Sequence, residues 1–423
     1  MVIWRYAMKK AFCIFSIFLL IFLAGCSSPT LKLARTDDNT ETEIEDTDTT
    51  ADNENDTEPA DTTSNCGNGN LDEGEICDGN AMECSEIDPS YTGGYAICND
   101  DCSGWDISGC HSSVPEDPTN TEPTDDPSEE FSVFNLGQYS VAITDIKSNK
   151  SDAPRDFRIY EPTGAEGPVP VIHFLHGFMY KDYYYDDFLT HLASHGFIVV
   201  SSQSDHGVVV GIGGDTSIEE AAEVVSLINW LKQNLQANLT VTADFENFGV
   251  SGHSRGGKVT NRVLNIDPTI AKSFFGVDPV DAAAKMQESK DPESLNDPVQ
   301  FTGASMFLGT EKGKEKYLGQ NCAPEGVDSA KFYASYPSPS HHTIAAGVGH
   351  ADMVDPDDVS ACGTYCSACV SSGDTNLNRQ LISYIGGLMT AFFNSTLKGE
   401  TEFEDLLNDS STHPFATTVV EHK

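Results

Sequence analysis

The sequence predicts an α/β fold, a mainly parallel central sheet flanked by helices, preceded by a small disulfide-rich module. Three observations predict it. From residue 131 onward, short apolar strand-like runs alternate with stretches of helical period. One such run, 248–250, leads through Gly252-His253-Ser254-Arg255-Gly256 into a stretch that reads as a helix. Ahead of both, six cysteines crowd into residues 65–110, a segment too small to build an apolar core.

The first residues read as an export signal. Arg5, Lys9 and Lys10 form a basic flank, and residues 11–22 form an apolar run too short to span a bilayer comfortably. Leu23-Ala24-Gly25-Cys26 resembles a bacterial lipobox, in which cleavage leaves the cysteine sulfur carrying a diacylglycerol. Residues 1–25 are therefore expected to be a lipoprotein signal peptide and Cys26 the lipidation site. Ser27, standing where Asp could, favours the outer membrane or cell surface by resemblance to Gram-negative lipoproteins. Acyl chains, at about 0.8 kcal/mol per buried CH₂, would hold the protein to the membrane of the cell envelope.

Residues 26–64 are Thr, Asp, Glu and Asn with almost no large apolar side chains after Leu33, the composition of an extended, self-repelling tether. Residues 111–130 repeat that chemistry, with proline, as a linker. Overall the chain carries 66 acidic and 24 basic side chains, a net charge of -42, which excludes a nucleic-acid partner. Between the tethers, Cys66, Cys77, Cys84, Cys98, Cys102 and Cys110 read as three disulfides whose pairing the sequence does not fix. Cys66-Gly67-Asn68-Gly69 and Gly74-Glu75-Ile76-Cys77-Asp78-Gly79-Asn80 resemble the cysteine-rich repeats of myxobacterial surface proteins, which implies a structural or adhesive module. Zinc at Cys98 and Cys102, or calcium at Asp72, Glu73, Glu75 and Asp78, is the weaker reading. No histidine completes the first set, and no EF-hand spacing supports the second.

Residues 131–400 are assigned to the main domain and 401–423 to a C-terminal tail. Within the domain, 158–160, 169–175, 197–201, 248–250, 273–277, 305–308 and 343–348 read as strands. Residues 218–235 read as an amphipathic helix presenting Ala222, Val225, Ile228, Leu231 and Leu235, and a final helix is expected over 376–397.

The run around Ser254 carries the chemistry. Gly-x-Ser-x-Gly alone fixes only three positions, but a strand before it and a helix after it are the context of a nucleophile elbow, which belongs to the α/β-hydrolase fold. The glycines are needed because side chains flanking the strained turn would strike the neighbouring strand and helix. A serine hydroxyl needs a general base, and in this fold the partners follow in the order Ser, acid, His. His350, in Gly349-His350-Ala351-Asp352 just past the run 343–348, lies at the carboxyl end of a strand, as Ser254 does. His341 and His342 precede that run and would lie more than ~20 Å away at about 3.3 Å per residue, so they read as structural or surface groups. Of the upstream histidines, His176 belongs to the oxyanion motif described next, and the rest read as ordinary surface or core positions. Three carboxylates end strands downstream of the serine. Asp278 ranks first as the acid, with Asp281 and Glu311 as alternatives; its role would be to orient the imidazole and stabilise its cation. The oxyanion donors would be the backbone amides of Arg255 and of Phe178, the latter in Leu175-His176-Gly177-Phe178 after an earlier strand.

Together these stretches resemble the plant chlorophyllases and their bacterial relatives. The likeness runs over roughly 131–397 and rests on Leu175-His176-Gly177-Phe178, Ser194-His195-Gly196-Phe197-Ile198, Gly252-His253-Ser254-Arg255-Gly256-Gly257-Lys258, Val277-Asp278-Pro279-Val280, Cys322-Ala323-Pro324-Glu325-Gly326-Val327 and Gly349-His350-Ala351-Asp352. It implies Ser254, His350 and Asp278 as the triad of a carboxylic-ester hydrolase. Platelet-activating-factor acetylhydrolases are similar in placing the acid after the strand that follows the nucleophile. Bacterial polyester hydrolases and cutinases share the wider fold but usually carry Met where Arg255 stands. The chain departs from the plant relatives in Cys362, Cys366 and Cys369, which with Cys322 read as two disulfides pinning the loops around His350. A zinc or redox site is the weaker reading there, because export favours disulfides.

The expectation is thus an exported, lipid-anchored, monomeric serine hydrolase that cleaves small-molecule, lipid or polymer esters through an acyl-enzyme. No metal or organic cofactor is implied. The rival readings are an inactive surface-binding or adhesion lipoprotein, and a serine peptidase or acyltransferase with the same triad.

Overall fold

The computed structural model describes residues 74–77, 81–88, 91–93, 95–99, 102–107, 111–112, 133–204, 215–282, 290–316, 321–355 and 369–423. The signal and Cys26, the tether, Cys66, Cys110, Asp72, Glu73, Asp78, Cys362 and Cys366 lie outside the described residues. The chain divides into two compact units, 1–122 and 123–423.

In the first unit, strand Ala81–Glu83 pairs antiparallel with Tyr95–Cys98, which pairs antiparallel with Trp105–Asp106. A second ladder joins Tyr91–Gly93 to His111–Ser112. Cys77 is bonded to Cys98, and Cys84 and Cys102 are also in disulfides. Half-buried Trp105 packs against Cys77, Cys98 and Cys102, so sulfur supplies the interior that apolar side chains are too few to fill. With both sulfurs in disulfides, Cys98 and Cys102 offer no thiolate to zinc.

The second unit is built on a nine-stranded sheet. Its strands are β1 Val141–Ile146, β2 Phe157–Pro162, β3 Pro168–Leu175, β4 Ile198–Ser202, β5 Thr242–His253, β6 Ser273–Val277, β7 Ala304–Thr310, β8 Ser340–Ala345 and β9 Thr417–His422. They lie in the order β1-β2-β4-β3-β5-β6-β7-β8-β9. Pairing is parallel from β4 through β8 and antiparallel at the β1-β2, β2-β4 and β8-β9 contacts. This is the α/β-hydrolase arrangement. Because both faces are covered, the central strands read as near-continuous apolar runs rather than as alternation. Helices α1 Asp186–Ser194 and α5 Thr375–Phe393 pack on one face, over Phe174, Phe275 and Val277. On the other face α2 Ser217–Asn234, α3 Arg255–Ile266 and α4 Ser329–Ser335 cover Val171, Leu175, Phe274 and Phe307. No helix among the described residues is long and apolar enough to cross a membrane.

Three expectations are corrected. Strand β8 runs Ser340–Ala345 rather than 343–348, because Gly347, at φ 73°, turns the chain out of the ladder. His341 and His342 therefore sit inside the strand, and Val348 is a buried loop residue. Helix α2 buries Ile228 and Leu231 of its expected face, and Leu235 just beyond it, but not that face's first two positions. Ala221, Val224 and Leu227 are buried instead, whereas Ala222 is exposed and Val225 half-buried. The Ala-Ala and Val-Val pairs fit either face, and the one taken also buries Glu220. Finally, residues 401–423 are not a tail beyond the domain. They form α6 Phe403–Asn408 and the edge strand β9, which pairs with β8. The strand's apolar signal was only Val419-Val420, too short to read as β structure without its partner.

Candidate active site

Ser254 stands between β5 and α3 at φ 54° and ψ -123°, a conformation that costs about 1–3 kcal/mol unless its surroundings enforce it. They do: the Ser254 amide donates to the Val277 carbonyl (3.1 Å) and the Val280 amide to the Ser254 carbonyl (3.1 Å), stitching the turn to the end of β6. Glycine is obligatory around it. A Cβ at Gly252 would lie 2.6 Å from the Gly256 carbonyl group, one at Gly256 2.1 Å from the Leu175 oxygen, and one at Gly257 2.5 Å from Pro279. Without side chains here, α3 seats its first turn directly against the end of β3.

Three strand ends converge on this turn. Asp278, at φ 37°, follows β6, and His350 opens a 3₁₀ turn, His350–Met353, in the loop after β8. His350 Nε2 lies 2.9 Å from Ser254 Oγ, and its Nδ1 lies 2.7 Å from Asp278 Oδ2. A carboxylate only accepts, so Nδ1 carries the proton and Nε2 presents its lone pair to the serine hydroxyl. Thr310, at the end of β7, holds Asp278 by donating its amide to Oδ1 (3.2 Å) and its hydroxyl to Oδ2 (2.9 Å). All three side chains are buried, with Ser254 at 8% exposure reaching furthest toward solvent.

The other candidates are engaged elsewhere. Asp281 accepts from the amides of Ser294 and Leu295, the Ser294 hydroxyl and Lys331 Nζ. Glu311 accepts from the Gly347 amide at 2.8 Å. His342 contacts Ser329 Oγ and Glu421 Oε1, a bond across the β8-β9 edge. His341 is also on that edge, its ring 6.2 Å from that of His422. The loop bearing His350 is held from below by buried Asp352, which accepts from the Gly349 amide (2.8 Å) and the Ser372 amide (2.6 Å). A Cys322–Cys369 disulfide ties the loop after β7 to the segment beyond His350.

Of the expected oxyanion donors, Arg255 is the first residue of α3, directly after Ser254. Phe178 follows β3. The peptide joining it to Gly177 is oriented through the Gly177 carbonyl, which accepts from His176 Nδ1 (2.7 Å) and from the Tyr180 amide (3.2 Å). His176 Nε2 in turn accepts from the Ser204 amide (2.8 Å), so the ring is the neutral Nδ1-H tautomer. Burial pulls its pKa down to about 3.

Sequence reasoning gave no role to His253, Tyr180, Tyr185 or Thr310. His253 is fully buried, with its ring 4.7 Å from that of His350 and stacked on Tyr180 at 5.5 Å. The Tyr185 hydroxyl accepts from the Gly177 amide (3.0 Å), which leaves its own proton for His253 Nδ1 (2.8 Å). Burial, reinforced by His350 and His176, drives the His253 pKa well below its usual value. A neutral ring therefore backs His350. The available signal was position: a histidine ending a buried strand beside the nucleophile must pack against whatever reaches that serine. No group of three or more His, Cys, Asp and Glu side chains able to hold a metal occurs among the described residues.

Comparison with known proteins bears on this geometry. A family model described as Chlorophyllase matches residues 129–423. Chlorophyllase-1 of Arabidopsis thaliana is 32% identical over 297 residues, covering 67% of this chain and 89% of that protein. Chlorophyllase-2 of the same plant is 28% identical, covering 61% and 82%. The chloroplastic Chlorophyllase-1 of Citrus sinensis is 29% identical, covering 69% and 88%.

Proposed function

Because the chain belongs to the chlorophyllase family, a family of carboxylic-ester hydrolases, we propose that it cleaves esters through an acyl-enzyme on Ser254, outside the cytoplasm and anchored by a lipidated Cys26. The observation that carries this reading is the line Ser254 Oγ, His350, Asp278, with hydrogen-bonding separations of 2.9 and 2.7 Å, beyond the carboxyl ends of β5, β8 and β6. In such a line Ser254 Oγ attacks the ester carbonyl carbon while His350 Nε2 takes the hydroxyl proton. Asp278 holds the Nδ1-H tautomer and stabilises the imidazolium without taking a proton itself. The carbonyl oxygen becomes an oxyanion facing the Phe178 and Arg255 amides. Collapse breaks the bond to the alcohol oxygen, which leaves with the proton from His350. Water, deprotonated by the same imidazole, then attacks the acyl-enzyme and releases the acid.

The membrane anchor rests on the basic flank, apolar run and Leu23-Ala24-Gly25-Cys26 order. The substrate is an ester of small-molecule, lipid or polymer type. A screen of short, long and polymeric esters, with chlorophyll included because the relatives carry its name, selects among them. One experiment tests the reading: fluorophosphonate labelling of the full chain in membrane and soluble fractions. Wild type should label in the membrane fraction, Ser254→Ala should not label, and Cys26→Ser should label in the soluble fraction. A folded, unlabelled wild type sinks the catalytic reading and leaves a binding protein. Membrane retention of Cys26→Ser sinks the anchor.

A further inference from the structure

A buried hydrogen-bond chain runs behind the oxyanion hole and joins the two residues whose amides would line it. The Arg255 guanidinium donates to Glu220 on α2, and Glu220 accepts from the Ser204 hydroxyl just past β4. Arg155 donates to that hydroxyl at 2.9 Å, which directs the Ser204 proton to Glu220. The Ser204 amide donates to His176 Nε2, and His176 Nδ1 donates to the Gly177 carbonyl. A trans peptide points its N–H opposite its C=O, so fixing the Gly177 oxygen fixes the direction of the Phe178 amide. At the other end, Arg255 Nη2 also donates to the Asp215 carbonyl at 3.1 Å, which further anchors the first side chain of α3.

Glu220 is 2% exposed, on a helix face whose buried residues besides Ser217 are Ala, Val, Leu and Ile. An ion pair in such a place is a weak reason for stability, since an apolar side chain of similar volume generally serves as well. What an apolar side chain cannot do is hold Arg255 and Ser204 at once. The tight seats of Gly256 on Leu175 and of Gly257 on Pro279 set how closely α3 approaches the sheet, and Arg262 ties α3 to Ser217 of α2. The chain through Glu220 is the polar contact that reaches both Arg255 and the Gly177-Phe178 peptide.

We propose that Glu220 is a positioning residue of the oxyanion hole, setting the angle between the Arg255 amide and the Gly177-Phe178 peptide. This rests on the hole assigned above. The test compares turnover of a carboxylic ester with its thionoester, in which sulfur replaces the carbonyl oxygen, by full-length wild type, Glu220→Ala and Glu220→Gln. Donors aimed at an oxygen fit the larger, weaker acceptor sulfur poorly, so the oxo-to-thiono ratio of kcat reads the hole itself. Misaligned donors should lower kcat by about 10–100-fold with KM within about twofold, and the oxo preference should shrink along with kcat. Glu220→Gln keeps the side-chain shape and an acceptor, and decides the matter if Glu220→Ala does not fold. Folded variants with kcat within about threefold of wild type overturn the proposal, as does a kcat loss that leaves the ratio unchanged. A wild type that labels at Ser254 yet shows no oxo preference refutes the hole, and with it this proposal, while leaving the nucleophile standing.

Discussion

Replacing Asp278 with Asn should cost about 10⁴-fold in kcat, and the hydrogen bonds around the carboxylate say why. Its Oδ1 accepts the Thr310 amide, a backbone donor that cannot be reversed. In the asparagine the remaining oxygen must stay at that position, which puts the NH₂ where Oδ2 meets His350 Nδ1 at 2.7 Å and the Thr310 hydroxyl at 2.9 Å. The threonine hydroxyl can turn to accept, but the imidazole can accept at Nδ1 only as the Nε2-H tautomer. That tautomer presents a proton, not a lone pair, to Ser254 Oγ at 2.9 Å. A ten-thousandfold loss corresponds to about 5 kcal/mol of transition-state stabilisation, far more than the net worth of a typical hydrogen bond, about 1 kcal/mol. The assay is steady-state hydrolysis of a p-nitrophenyl ester at neutral pH, alongside thermal unfolding followed by circular dichroism. Asp281→Asn should instead lower stability and keep kcat per folded molecule, because it weakens a carboxylate serving two amides, a hydroxyl and Lys331. Glu311→Gln should change neither. A folded Asp278→Asn that keeps kcat within about tenfold, with Glu311→Gln losing it, would refute the assignment.

Two more outcomes are expected. Burial holds His173 and His176 down to about 3 from 6.5, so these rings stay neutral in the folded chain while the unfolded chain protonates them below pH 6.5. Their folded pKa is depressed, so stability is full above 6.5 and falls as pH drops toward 3, by about 1.4 kcal/mol per pH unit for each ring. Urea unfolding at pH 7 and pH 5 measures this, and a midpoint no lower at pH 5 contradicts it. Exchanging Cys322 and Cys369 for Ala opens a crosslink spanning 47 residues, for which chain entropy gives a loss of about 4 kcal/mol. The same urea measurement at fixed pH checks it; a loss well under 1 kcal/mol would mean the loops around His350 are held by Asp352 and its amide partners instead.

The fold was legible in the sequence where a local signal and a tertiary demand coincide. β6 was read without error because Phe274, Phe275 and Val277 of this central strand are buried on its two faces, and the charged Lys272 and Asp278 mark its limits. β8 was read three residues late because it sits next to the sheet edge. There β9 covers it and His342 can bond to Glu421, so its polar start resembled a loop. β9 itself was invisible, since an edge strand draws its order from its neighbour. The same division runs through the site. Ser254 and its glycines fall within residues 252–257 and are bound by the clash distances of one turn, so six residues of sequence suffice to locate them. His350 and Asp278 could be placed at strand ends but not paired, because three carboxylates end strands there and only Thr310 and the elbow decide which one faces the imidazole.

The side chains that sequence reasoning passed over share one property: each acts through a partner far away in the chain. Tyr185 reaches His253 across 68 residues, Ser204 reaches Glu220 across 16, and Glu220 reaches Arg255 across 35. Periodicity cannot anticipate such pairs: in α2 it placed Ile228, Leu231 and Leu235 correctly but missed at Ala222 and Val225, in the turns next to Glu220. A polar residue inside a largely apolar helix face is thus a sequence-level trace of the site's outer layer. Here the face that buries Glu220 leaves Ala222 exposed and Val225 half-buried, and Glu220 meets the first residue of α3. At its N-terminal end α2 meets α3 through Glu220 to Arg255 and through Ser217 to Arg262, and the first of these contacts falls at the residue that follows Ser254.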